Sequence, residues 1–238
     1  LTPITVADLS SSKTEDEATL KAAADAPQKI SDARQKAAAL VKASLAQLQM
    51  ESPQSEDALK NAKQALASFR ELNAPEGEAT ALRAVAVASL GVDAFGALQA
   101  ANQSLKTFKE IGHGKGQVAA IHSIALAHLG KDSTDDCVFR AAEGLKLSRQ
   151  IGDRMKEYAI LTTIVEAYLI QGDGKHALAT AKEALEVARG LGEKLLEAKA
   201  LCLVAKGAGL CSAAESAAGF AAGQEALKLY QSLGLKSK

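Results

Sequence analysis

Leu82, Val85 and Ala86 stand three and four positions apart, which puts them on one stripe of an α-helix. The stripe returns as Ile121, Ile124 and Ala125, as Leu161, Ile164 and Val165, and as Leu201, Val204 and Ala205. A second set, spaced by four, reads Ala62 and Leu66, Ala101 and Leu105, Ala141 and Leu145, Ala181 and Leu185. Each unit is therefore a pair of amphipathic helices with Ala at the crossing points, where a small side chain lets backbones approach. A third mark closes each unit: one apolar or small residue, two mostly polar ones, then Leu or Ile followed by Gly or Asn. It runs from Phe69 to Asn73, Phe108 to Gly112, Ser148 to Gly152, Ala188 to Gly192 and Tyr230 to Gly234. From Leu72 to Ile111, Ile151, Leu191 and Leu233 the steps are 39, 40, 40 and 42 residues. A period this regular signifies a stack of supersecondary units.

Local punctuation agrees with that period. Gly112, Gly152 and Gly192 fall where a helix end calls for a left-handed residue. Asp93, Asp153 and Asp173 are expected N-caps, and Ser133 with Asp136 has capping-box spacing with a shortened acid. The predicted hairpins span about 33–72, 76–111, 115–151, 154–191 and 194–233, inside one helical domain over 15–238. A further helix near 15–30 is expected as a cap or half unit, and residues 1–14 as an extended or mobile arm. The fold class is all-α, an α-solenoid of about five helix-turn-helix hairpins.

Composition narrows the classes of function. Aromatic residues make up only 3% of the chain and Trp is absent, so the core must come from Ala, Leu, Ile and Val. Lys+Arg and Asp+Glu are equal at 28 each, which gives no global pull toward nucleic acid or acidic lipid. The most apolar stretch, Ala84 to Ala101, is interrupted by Gly91, Asp93 and Gly96, so no transmembrane segment is expected. Three cysteines, Cys137, Cys202 and Cys211, without CxxC spacing argue against a disulfide framework and for a reducing compartment, cytoplasm or organelle interior. The start at Leu1 rather than Met is compatible with a removed transit peptide.

The unit over residues 161–185 resembles the tetratricopeptide repeat (TPR). It carries Leu161, Ile164, Tyr168, Gly172, Ala177, Ala184 and Leu185 at that family's spacing. The longer period, with Ile151-Gly-Asp, Gln171-Gly-Asp and Leu191-Gly-Glu turns, is similar to the branch found in kinesin-light-chain-type scaffolds. The resemblance covers roughly 33–233; Ser89, His128 and Ala208 replace the Tyr168 equivalent in neighbouring units. It implies a right-handed superhelix whose concave face is lined by the first helix of each pair. It also implies two partner-facing rows: Arg83, His122, Thr162 and Cys202, and Val87, Leu126, Glu166 and Lys206. Chaperone-binding members hold a terminal carboxylate with a Lys/Asn/Arg clamp. Val87 and Leu126 stand where that clamp wants Asn, so the expected ligand is instead a helix or extended segment of a protein partner. Members of the family also serve in organellar complexes, photosynthetic ones among them. The alternative expectation is therefore a permanent subunit or assembly factor of a larger membrane complex, with peripheral association through partners.

Sites for chemistry are weak. His122 and His128 are six apart and face different directions on a helix, unlike an i, i+4 zinc pair. Gly112-His-Gly-Lys-Gly116 follows a helix rather than a strand and matches no GxxxxGK loop. An enzyme using Cys202 and a histidine is a third reading, set aside because buried, inert thiols are the commoner case. The expectation is no enzyme, no cofactor, no metal and no nucleic acid; RNA-reading helical repeats use a shorter period and a basic groove.

Overall fold

The computed structural model describes residues 16–48 and 55–234, with side chains from residue 28 onward. The expected arm over 1–14 lies outside them. The described residues form ten α-helices and no strand: α1 (Asp16–Gln47), α2 (Ser55–Glu71), α3 (Pro75–Ser89), α4 (Ala94–Glu110), α5 (Gly114–Leu129), α6 (Thr134–Ile151), α7 (Arg154–Ile170), α8 (Gly174–Leu191), α9 (Lys194–Gly209) and α10 (Ala213–Ser232). One expectation is corrected at the start of the chain. The separate helix near 15–30 and the first helix beginning at 33 are a single helix, α1, of 32 residues. Pro27 falls within it without ending it, and the Ala-, Lys-, Gln- and Leu-rich run that follows carries no further stop signal.

Each helix packs on the next along the chain. The odd-numbered helices also touch one another in succession, α1 on α3, α3 on α5, α5 on α7 and α7 on α9, whereas among the described residues the even-numbered ones stand farther apart and are bridged by long side chains, Arg149 to Glu183 and Arg189 to Glu225. A stack in which one row touches and the other splays must curve toward the touching row. The odd helices therefore line the inner face of an all-α solenoid. On the outer side the splay leaves a cleft of about 430 Å³ between α8 and α10, walled by Leu178, Lys182 and Glu225.

The core is a chain of local cores. Ala62, Ala65, Phe69, Ala81 and Ala84 pack together at the first seam. Leu82, Leu105, Phe108 and Ile121 follow, and Tyr158, Leu161, Leu185 and Leu201 build the largest cluster near the C-terminal end. Every unit buries its face only against its neighbours, the condition for nearest-neighbour stability.

Turns hold the expected register. Gly112, Gly152 and Gly192 have φ of 68°, 72° and 74°, the left-handed region where an L side chain would clash. Asp93, Asp153 and Asp173 cap α4, α7 and α8 by accepting from the amides of Gly96, Lys156 and His176. The expected capping box at Ser133 is corrected: it precedes α6 but its side chain makes no capping bond. Its third residue is Asp136, one methylene shorter than Glu, and that carboxylate faces His128 at 3.7 Å. A complete box closes α10 instead, with Ser212 and Glu215 bonded reciprocally.

The seams between units are built on residues eight apart. The Arg149 Nε donates to Glu157 at 2.9 Å, Arg189 to Glu197 at 3.0 Å and Arg70 to Glu78 at 2.8 Å. Each joins the end of one unit to the first turn of the next. At the remaining seam Lys109 and Gln117 occupy those positions, and the Gln117 amide donates to the Phe108 carbonyl at 3.3 Å. One position earlier the pairs are Phe69 with Gly77, Phe108 with Gly116, Ser148 with Lys156 and Ala188 with Leu196. Phe69 and Phe108 pack against Gly77 and Gly116, whereas the two later pairs combine a small residue with a long one.

Candidate protein-binding groove

Arg83, Thr162, Cys202 and His122 occupy the same register position on α3, α7, α9 and α5, and Val87, Leu126, Glu166 and Lys206 lie one turn further along the same helices. Six of the eight are half-buried, and Glu166 and Lys206 are exposed. The flanking positions on each helix, such as Leu82, Ile121, Leu161 and Leu201, are fully in the core. This difference sets the rows on the odd helices apart: six of their side chains are partly covered by the stack and two are open.

Their surroundings differ along the groove. At its centre, His122 Nε2 lies 2.9 Å from the hydroxyl of buried Thr163 on α7. Burial first, and then the charges of Lys156 and Arg83, push the imidazole down to about 3, so His122 is neutral at ordinary pH. Arg83 is lowered from its ordinary value by burial; Lys156 is lowered by burial and then by Arg83. The Thr162 hydroxyl is spent on the Ala159 carbonyl at 2.8 Å. Farther along, partial burial raises Glu166 and the Lys206 ammonium opposes that shift. At the C-terminal end, Cys202 shares its surroundings with Tyr158 and Tyr230; burial pushes Tyr158 up to about 12, and its hydroxyl donates to the Leu196 carbonyl at 3.0 Å.

Two parts of the groove escape a column-by-column reading. Lys156 aligns with Gly77 and Gly116, glycines that admit a Phe ring, and nothing in that column announces a groove cation. The N-terminal end opens into a cavity of about 870 Å³ between α1, the start of α3 and the α4–α5 turn, lined by Val41, Phe69, Thr80, Ile111 and His113 among others. The predicted first hairpin over 33–72 already sets α1 beside α3, but no residue in it marks a cavity. The α4–α5 turn itself is structural: His113 Nδ1 accepts the Gly116 amide at 2.9 Å, which caps α5.

Among the described residues no group of His, Cys, Asp and Glu is arranged to hold a metal ion. His128 and His176 face Asp136 and Asp173 respectively, at 3.7 and 2.6 Å. Cys137, Cys202 and Cys211 are all free thiols, and burial pushes the Cys137 thiol up to about 11, away from the reactive thiolate. No described helix is long and apolar enough to cross a membrane.

No family model matches the chain, and none of the curated proteins does. Solved structures do. A Rap protein complexed with competence and sporulation factor superposes with a TM-score of 0.64 at 14% identity, over 74% of this chain and 50% of that one. A signal-transduction ATPase with numerous domains and a tetratricopeptide repeat sensor, from Pyrococcus horikoshii, superposes at 0.69 with 18% identity, over 90% of this chain and 33% of that one. The fold is a TPR-like helical repeat. The chain spans half and a third of those two proteins, and at such identities the likeness concerns fold alone.

Proposed function

We propose that this chain is a non-catalytic interaction scaffold that holds a helix or extended segment of a protein partner along the inner face of the odd-numbered helices. The observation that carries the reading is the pair of rows on α3, α5, α7 and α9. Half-buried apolar Val87 and Leu126 sit beside half-buried polar Arg83 and His122 on a curved, continuous surface. A groove of that character gives apolar anchors for side chains and polar contacts for register, the usual needs of segment recognition. The two structural neighbours are in keeping with it, one having been solved with a bound factor and the other being a repeat sensor. Three free thiols suit a reducing compartment. The period of 39 to 42 residues supports kinship with the kinesin-light-chain-like branch. No observation on the described residues favours a fixed complex subunit over a free adaptor.

The test is a crosslinked capture from the native source, followed by affinity measurements on the partner found. Leu126→Asp, Arg83→Glu and Glu166→Lys should each weaken binding at least tenfold while the far-ultraviolet circular dichroism stays unchanged. Affinity indifferent to all three would move the binding surface off the groove.

A further inference from the structure

Three of the four seams between units carry an Arg–Glu pair eight residues apart, and one does not. Arg70 with Glu78, Arg149 with Glu157 and Arg189 with Glu197 each tie the end of one unit to the first turn of the next. At the α4–α5 seam the two positions hold Lys109 and Gln117, which cannot form that pair. The outer tie is missing there too. Arg149 reaches Glu183 on α8 and Arg189 reaches Glu225 on α10. Glu143 stands as far after Lys109 as Glu183 does after Arg149, yet it pairs with Arg140 of its own helix at 3.3 Å. Among the described residues no ion pair joins α4 to α6. The turn itself, Gly112-His-Gly-Lys-Gly116, has three glycines where the corresponding five residues at the α6–α7 and α8–α9 turns have one. Two of the three are accounted for: Gly112 has a φ of 68°, and Gly116 makes room for the Phe108 ring. Gly114 is not, because a methyl group there would meet only Ile151 Cγ2 at 3.8 Å, an ordinary contact. Glycines in the first turn of a helix hold its backbone poorly.

We propose that the α4–α5 seam is the hinge of this solenoid, about which a body of α1–α4 swings against a body of α5–α10. Each body is tied inside by polar bonds. In the first, the Asn61 amide donates to Gln47 at 3.0 Å, Arg70 to Glu78 at 2.8 Å, and the Ser104 hydroxyl to the Ala79 carbonyl at 2.7 Å. In the second, His122 on α5 meets Thr163 on α7 at 2.9 Å, and Gln171 donates to Thr134 at 3.0 Å, beside the two Arg–Glu seams. Across the divide the side-chain links are longer or exposed. Gln117 donates to the Phe108 carbonyl at 3.3 Å, and His113 Nε2 stands 3.6 Å from Glu76. Lys131 lies over the exposed ring of Phe95 at 4.0 Å. What remains is apolar: Leu82, Leu105, Phe108 and Ile121 share one cluster, and such non-directional contacts hold two bodies together without fixing their angle. α3 and α5 touch on the inner side, so that contact is the pivot and α4 and α6 are the parts that separate. The swing alters the curvature between Arg83 and Val87 on α3 and His122 and Leu126 on α5. A hinge of this kind absorbs its change in a few residues at the ends of elements, here residues 112–116.

The experiment is pulsed electron-spin distance measurement on the full chain, with labels on unnatural residues at exposed outer positions so that the native thiols stay untouched. Lys63 on α2 and Ala142 on α6 bracket the hinge at a separation of two units. Ala142 and Gln224 on α10 are also two units apart, with only Arg–Glu seams between them. The Lys63–Ala142 distribution should be roughly twice as wide as the Ala142–Gln224 distribution. Combining Lys109→Arg, Gln117→Glu and Gly114→Ala installs the missing pair and removes the glycine that packing does not require. That triple variant should narrow the Lys63–Ala142 distribution to the width of the other. Hydrogen exchange on the unlabelled parent supplies a readout that needs no variant to fold. Amides from Val118 to Ile121 should exchange roughly tenfold faster than those from Tyr158 to Leu161 and from Ala198 to Leu201. Equal widths in the parent, a wide distribution that the folded triple variant leaves unchanged, or exchange as slow in α5 as in α7 would each overturn the hinge.

Discussion

The ring of Phe108, at the end of α4, lies where a side chain at Gly116, in the first turn of α5, would begin. Phe69 and Gly77 repeat the relationship one unit earlier. The two later seams invert it, with Ser148 and Ala188 opposite Lys156 and Leu196. Each pair thus combines one small and one large residue, the small one on the later helix in two seams and on the earlier helix in the other two.

Gly116→Ala should therefore destabilise the solenoid by about 1–3 kcal/mol, the usual cost of overpacking a filled core. The same substitution in a Phe108→Leu background should cost less than the sum of the two single changes. Thermal melts of the four proteins in a double-mutant cycle give the coupling. Additive costs would mean that the ring is not what limits residue 116.

Glu157 is 3% exposed and receives both Arg149 at 2.9 Å and Arg154 at 2.6 Å. Arg149 also reaches Glu183 on α8, and its guanidinium is held above its ordinary value chiefly by the Glu157 bond. Glu157→Gln keeps the shape and removes the charge that two half-exposed arginines share. The expected loss is about 1–3 kcal/mol, the range for hydrogen bonds to charged groups. Hydrogen exchange should show it at the α6–α7 seam before the ends of the chain.

Glu197 sits in the same position at the next seam, and its bonds from Lys194 and Arg189 hold its pKa below the ordinary 4.5. A carboxylate depressed in the folded state adds stability above the unfolded value, and the addition is lost as pH falls through the folded one. Chemical denaturation from pH 7 downward should show Glu197→Gln with a shallower acid limb than the parent. A parallel limb would assign the acid sensitivity to other carboxylates.

His122 carries the opposite sense of proton linkage from an ion-paired histidine. Its folded pKa of about 3 lies below the ordinary 6.5, so the unfolded chain binds the proton first. Stability contributed by the neutral ring is whole above pH 6.5 and declines as pH falls from there toward 3. The imidazole resonances of His122 should stay fixed from pH 8 to pH 5, whereas a solvent-exposed histidine would titrate through that range. Movement of those resonances near pH 6.5 would show that the ring is open to water.

Ser212→Ala should cost about 1 kcal/mol and fray the start of α10, because it removes a reciprocal capping box. Ser133→Ala should cost less than half as much, because the Ser133 side chain caps nothing. Equal losses from the two would show that Ser133 bonds α6 in solution.

Much of this molecule is legible in one dimension. Helical pairs, their period and the glycine-terminated turns depend on interactions within about four residues or between adjacent units, and those leave a periodic trace. The rows of Arg83 and Val87 came from the resemblance to the tetratricopeptide repeat; register along a helix says which side chains share a face, not which face meets a partner. Only the tertiary structure decided that α1 is one helix, that its stripe and the α4–α5 turn enclose a cavity of about 870 Å³, and that His122 of α5 meets the Thr163 hydroxyl of α7. Those facts depend on how far each unit turns relative to the last. The seams also divide their volume differently between their two helices, with Phe69 against Gly77 in one unit and Ala188 and Leu196 in one cluster at another. Such differences leave the hydrophobic pattern unchanged, because a filled seam reads the same whichever helix fills it.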